Sequence, residues 1–310
     1  MVVCQKEGVL NMLYQLYELR NKISQPLTSY WKQQIPNIEP WFQNAMLGRF
    51  FCGFLDMFER SNRKITKPDF AIKEITRSDG TVVNITEEVI VNKPFANLLH
   101  FKKDKEFNEP KVMIVAPVSG HYASLLRDTA RTMLKDHDVY ITDWKNARDV
   151  PLSDGYFSLD IYTDYLIEFT KSIGKGIHVV GVCQPVVQVM AFVSFMNQKK
   201  DPFAPASVTI MGGPLDPRAN MTEVNRLAER YSSDWFAKTM LYRVPAGYKG
   251  AGRLVYPGVL QLTAFMMLNP DKHFMAFVKY HVDYVNNNKE AMKKHTDFYD
   301  EYLTVMDMDA

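Results

Sequence analysis

The chain has 310 residues, with 37 Lys and Arg against 35 Asp and Glu for a net charge of +2, and 46% of it is hydrophobic. That balance excludes a disordered chain and, with no basic cluster beyond pairs such as Lys102–Lys103, excludes nucleic acid as a partner. Three isolated cysteines (Cys4, Cys52 and Cys183) make no disulfide scaffold and fit a reducing compartment.

Residues 9–60 read as helical. Met12, Leu16, Leu19 and Ile23 form one apolar stripe, and Pro26, Pro36 and Pro40 divide the run. No signal peptide is expected, because Lys6-Glu7 interrupts the apolar character of the first residues. The best apolar stretch, 45–58, carries Arg49 and Asp56 and is too short and too charged to span a bilayer, so the expected location is the cytoplasm.

From Ile75 the period changes. Val82, Val83, Ile85, Val89, Ile90 and Val91 are β-branched, and Ser78-Asp79-Gly80 supplies a turn, which predicts an antiparallel hairpin. Strands at 111–118, 138–144, 177–182 and 207–211 then alternate with helices at 122–134, at 184–196 and between Ser158 and Gly174. This β-α-β rhythm predicts a mostly parallel α/β sheet. After Pro214 the chain is rich in Met and aromatics, broken by Pro245, Pro257 and Pro270, and no strand is expected. The reading is a helical cap that runs to the end of the sequence. Three parts result: a helical extension (1–60), an α/β core (61–213) and the cap (214–310).

The segment with chemistry is His178–Met190, where a buried strand enters Gly181-Val182-Cys183-Gln184-Pro185 and then a helix. A nucleophile on such a sharp strand-to-helix turn is exposed at the strand's carboxyl end. Gly181 leaves room for the close strand–helix approach, and the helix N-terminus favours negative charge on the sulfur of Cys183. The Gln184 N–H is aimed at an oxyanion formed on a carbonyl that Cys183 attacks. A second segment, Ala116-Pro117-Val118-Ser119-Gly120-His121-Tyr122, follows an earlier strand, where hydrolases of this design find their other oxyanion donor. Ser119 is the candidate there. His121 and Tyr122 read as substrate-facing or loop-stabilising, and Asp216 as a turn former that could also face substrate.

At these residues the chain resembles the intracellular poly(3-hydroxybutyrate) depolymerases, an α/β-hydrolase family with cysteine in place of serine. The resemblance runs through 12–19, 114–122, 137–144, the elbow 181–185, 211–216, 224–228, 255–258 and 298–302; residues 1–11 fall outside it. Related polymer synthases carry Gly where this elbow has Pro185. The resemblance implies a thioester mechanism without cofactor or metal. Cys183 attacks an ester carbonyl, the N–H groups of Gln184 and the Val118–Ser119 loop hold the oxyanion, and a His oriented by an Asp acts as base.

The family's acid and His are expected on final strands beyond the cap. His273, His281 and His295 read as cap or helix-surface residues, and His178 as a hydrogen-bonded core residue. The fold is therefore expected to be α/β-hydrolase-like with its last strands missing, which leaves the 207–211 strand as an edge open to another chain. The expected partners are the polymer or its granule surface and a second chain that completes the fold. A non-catalytic granule-binding protein and an esterase for small esters are the alternative functions.

Overall fold

The computed structural model describes residues 45–62, 66–216, 218–219 and 221–310, with residues 19, 23–24, 26–34 and 37 of the N-terminal segment. Met12 and Leu16 of the expected N-terminal stripe lie outside these residues. The chain forms two compact units, a sheet unit of residues 68–259 and 305–310, and a helical unit of residues 1–67 and 260–304. This grouping sets 214–259 with the core and 260–304 with the N-terminal helices, where the sequence reading separates 1–60, 61–213 and 214–310.

The chain opens, among its described elements, with helical residues 26–34 and helix α1 (Met46–Asn62). The antiparallel ladder follows: β1 (Glu74–Thr76), β2 (Val82–Asn92) and β3 (Ala96–Lys103). The β1–β2 turn places Gly80 at φ 85°, where an L side chain would be strained. The sequence reading omits β3. ANLLHFKK has no β-branched residue and no clean alternation, because residues on both of its faces are largely buried, while β2 and β5 pair along its two edges.

Next come β4 (Lys111–Val115), α2 (Arg127–Met133), β5 (Asp138–Trp144), α3 (Leu159–Ile173), β6 (His178–Val182), α4 (Val186–Gln198) and β7 (Ser207–Met211). Ser158 caps α3 by accepting a hydrogen bond from the Ile161 N–H at 3.2 Å, and Gly174 ends it, as the sequence requires. The strand order is β1-β2-β3-β5-β4-β6-β7, with β5, β4, β6 and β7 parallel. This mostly parallel seven-stranded sheet with helical crossovers is α/β-hydrolase-like, and β7 stands at its edge. The central strands supply the core: Met113, Ile114, Val115 and Ile141 are wholly buried, and Trp144 packs edge-on against Tyr162.

Beyond β7 the chain forms α5 (Glu223–Arg230), α6 (Ser233–Met240), β8 (Tyr242–Arg243), β9 (Leu254–Tyr256), α7 (Gly258–Met267), α8 (Pro270–Val285), α9 (Lys289–Tyr302) and β10 (Met308–Asp309). A small antiparallel sheet of order β10-β9-β8 corrects the expectation that this region holds no strand and ends in helix. Pairings of two or three residues are too short to leave a period in sequence. Buried Arg253 anchors this sheet, donating from Nη1 to Asp309 at 2.9 Å and from Nε to the Val150 carbonyl at 3.0 Å.

In the helical unit, α1 and α8 approach closely at Gly53, where a Cβ would stand 3.0 Å from the Tyr284 ring. Asp56 accepts hydrogen bonds from the Tyr280 hydroxyl at 2.5 Å and from Arg60 Nε at 2.7 Å, and pairs with Lys32 at 3.1 Å. Arg60 also reaches Asp300 at 3.0 Å. Among the described residues no helix is long and apolar enough to cross a membrane.

Candidate active site

Cys183 lies between the end of β6 and the start of α4, is exposed, and adopts φ 67°. A left-handed backbone at a residue with a Cβ is uncommon and costs free energy, so the surrounding structure must hold it. Three contacts do so. The Cys183 N–H donates to the Met211 carbonyl at 2.8 Å, which ties the turn to the end of β7. Gly181 passes under α4, where a Cβ would stand 3.1 Å from Val189 Cγ2. Gly213 lies against the turn itself, where a Cβ would fall 2.3 Å from the Cys183 carbonyl oxygen and 2.2 Å from Val186 Cγ2. The sequence reading places Gly213 within the 211–216 stretch of the family resemblance and gives it no structural reason. The requirement for a bare backbone at 213 arises from a turn thirty residues earlier.

The 116–122 loop meets this turn from β4. Its base is fixed because the Ala116 N–H donates to Thr142 Oγ1 at 2.9 Å and Trp144 Nε1 donates to the Ala116 carbonyl at 2.7 Å. Its far end is held by the C-terminal segment: the Met306 N–H donates to the Gly120 carbonyl at 2.7 Å, and His121 bridges Val305. Gly120 has φ 78°, and His121 is buried. The C-terminal segment is itself stitched down, since Gly258 N–H donates to buried Asp307 at 2.9 Å and Asp307 N–H donates to Asn146 Oδ1 at 3.1 Å. Sequence reasoning had no signal for this brace, because its partners are 49 to 186 residues apart.

Between loop and turn sits the Gln184 side chain. Its Oε1 accepts from the Val118 N–H at 3.1 Å and from the Ser119 N–H at 3.2 Å. The Val118 and Ser119 amides therefore converge on one point, and the side-chain carbonyl of Gln184, the residue after Cys183, fills it. Of the two donors read from sequence, the Ser119 N–H is one of these amides and the Gln184 N–H is not. Tyr122 is partly buried; its hydroxyl accepts from Asn146 Nδ2 at 3.4 Å, and burial pushes its pKa up.

Asp216 is exposed and pairs with Arg218 at 2.9 Å, a hydrogen bond that holds its carboxyl below the usual range. The sheet unit's other histidines lie at the opposite end. His178 pairs in register with Val112 and shares a 2.7 Å hydrogen bond with Ser207, His100 contacts Asp138 at 2.6 Å, and His137 precedes β5. All three are at the amino ends of the parallel strands; His121 is at the carboxyl ends with Cys183. His273, His281 and His295 belong to the helical unit and pack in its own aromatics, His295 against Tyr280 and Tyr299. Among the described residues no three His, Cys, Asp or Glu side chains converge to hold a metal.

Residues 212–310 match the family model described as PHB de-polymerase C-terminus. No curated protein matches the chain. Among solved structures, carboxylesterase CesB (YbfK) from Bacillus subtilis is 9% identical, with 52% of this chain and 48% of that chain covered and a TM-score of 0.28. The match thus spans about half the length of that carboxylesterase, and at this TM-score it adds nothing to the strand order already described. The family likeness is therefore one of residues 212–310, about a third of the chain.

Proposed function

We propose that the protein is an ester hydrolase that cleaves poly(3-hydroxybutyrate) through a thioester on Cys183. The observation that carries the reading is the exposed sulfur on a left-handed turn at the carboxyl end of β6, held open by Gly181 and Gly213. A core cysteine would be buried and would need neither the turn nor the two bare backbones. The family match at 212–310 supports the substrate class.

In this mechanism Cys183 Sγ, having released its proton, bonds to the carbonyl carbon of a 3-hydroxybutyrate unit, and the C=O electron pair moves onto oxygen. The Gln184 N–H and the 118–119 loop amides stabilise that oxyanion. The C–O bond to the rest of the polymer breaks, the departing alkoxide takes a proton, and a thioester remains. Water then attacks the thioester, releasing the free carboxylic acid and restoring the thiol. His121 and Tyr122 flank the acyl site, and Asp216 forms a turn after β7.

The helical unit supports a granule surface as partner, because Phe50, Phe54, Phe274 and Met275 stand exposed on it. The open β7 edge, with Ser207, Thr209 and Met211 exposed, is where a second chain contributing further strands would add.

The test is mass spectrometry after exposure to an activated 3-hydroxybutyrate ester. An acyl adduct on Cys183, absent in Cys183→Ala, is expected, and amorphous polymer should release 3-hydroxybutyrate faster than small alkyl esters are cleaved. An adduct elsewhere, or none, removes the nucleophile assignment. Faster cleavage of small esters than of polymer replaces the substrate class.

A further inference from the structure

Each backbone N–H carries one proton, and those of Val118 and Ser119 are both directed at Gln184 Oε1, at 3.1 and 3.2 Å. Two convergent amide donors on one carbonyl oxygen are the arrangement that an ester carbonyl needs when it becomes an oxyanion. A substrate oxygen and Gln184 Oε1 cannot hold the same two protons.

The loop does not depend on Gln184 for its shape. Thr142 and Trp144 fix its base, and Val305 and Met306 fix its far end. Gln184 itself is half-buried at the elbow with an exposed neighbour, Cys183, on one side, so its side chain has somewhere to go.

We infer that the Gln184 side-chain carboxamide is a resident occupant of the oxyanion donors and that it must swing out before Cys183 can be acylated. The inference rests on the hydrolase reading above and adds a gating step to it. The carboxamide is neutral and so is the ester carbonyl, so the two compete on nearly equal terms in the ground state. The oxyanion is charged, and hydrogen bonds to charge are about twice as strong, so the transition state wins the donors. The side chain therefore weakens capture of esters with poor electrophilicity more than it slows activated ones. Gln184 is a positioning and selecting residue, and its backbone N–H remains a donor whatever its side chain does.

The experiment uses the full-length protein, Gln184→Met and Gln184→Glu, each with p-nitrophenyl acetate as acylating probe and iodoacetamide as alkylating probe. Alkylation of sulfur forms no oxyanion, so it reports the thiol without the donors. Met fills the space without accepting, and acylation of Cys183 should rise about tenfold, equivalent to about 1.4 kcal/mol, while alkylation stays within about twofold. Glu presents a charged acceptor that grips the donors harder, and acylation should fall. Hydrogen exchange at the Val118 and Ser119 amides should speed up in Gln184→Met.

Opposite signs in the two variants cannot come from a general loss of folding. An acylation rate in Gln184→Met equal to or below that of the parent, with alkylation unchanged, overturns the gating step and leaves the nucleophile reading intact. Alkylation without acylation of Cys183 in any of the three proteins overturns the nucleophile reading and the gate together.

Discussion

In the sheet unit, Leu98, Met113, Ile114, Val115 and Ile141 are wholly buried side by side. In the helical unit the acids Asp56 and Glu59 are buried, while Met46 and Leu47 on the same helix are each 73% exposed. Apart from the buried Arg253–Asp309 pair, the first unit draws its order from apolar packing, which is non-directional and tolerant of pH. The other leans on a charge cluster whose members must stay ionised and in place. Apolar packing suits a unit that must hold a strained turn and a donor loop to within a fraction of an ångström. A charge cluster fixes a few helices while leaving their apolar outer faces free for another surface.

The sharpest way to break that contrast is Asp56→Ala. It removes the carboxylate that Arg60, Lys32 and the Tyr280 hydroxyl share, leaving Arg60 to Asp300 and Lys32 to Glu59, and stability should fall by about 3 kcal/mol, read as the urea midpoint of helical circular dichroism. A loss below about 1 kcal/mol would mean that packing, not charge, orders this unit.

Gly213→Ala probes the other side. The new Cβ would overlap the Cys183 carbonyl and Val186, so about 1–3 kcal/mol of stability and about a hundredfold in Cys183 acylation should go together. Retention of full acylation would show that the turn does not need its bare neighbour.

Acid supplies the smallest effect. Burial and the nearby Arg60 lower the pKa of His295, outweighing Asp300 and Asp283. The unfolded chain thus takes up that proton first, and the associated stability, full above about pH 6.5, declines as pH falls toward the lower folded value. Burial works to raise the Asp56 carboxyl, but Tyr280, Arg60 and Lys32 hold it below the usual range, so its share goes later, below about pH 4. Between pH 7 and 5 the helical unit should lose under about 1 kcal/mol, and His295→Gln should abolish that slope.

Much of the sheet was legible because its signals are local. The β-branched run at 82–91, the buried strands at 111–115 and 178–182, and the Ser158 and Gly174 caps each announce themselves within a few residues. The turn at 181–185 was legible for the same reason. What escaped depends on distant partners. β3 is a strand because β2 and β5 enclose it, β10 because Tyr256 and Val255 pair with it, and Gly213 is bare because Cys183 needs the space. The Gln184 side chain was invisible for a different reason: its neighbour in sequence drew attention to the amide beside it, and no pattern says where a flexible carboxamide comes to rest.

The left-handed backbone at Cys183 has one more consequence. Of all residues, glycine would sit most comfortably at that position, so the chain would gain robustness by surrendering its sulfur. The fold thus gives up some stability to hold an exposed thiol at the end of a strand.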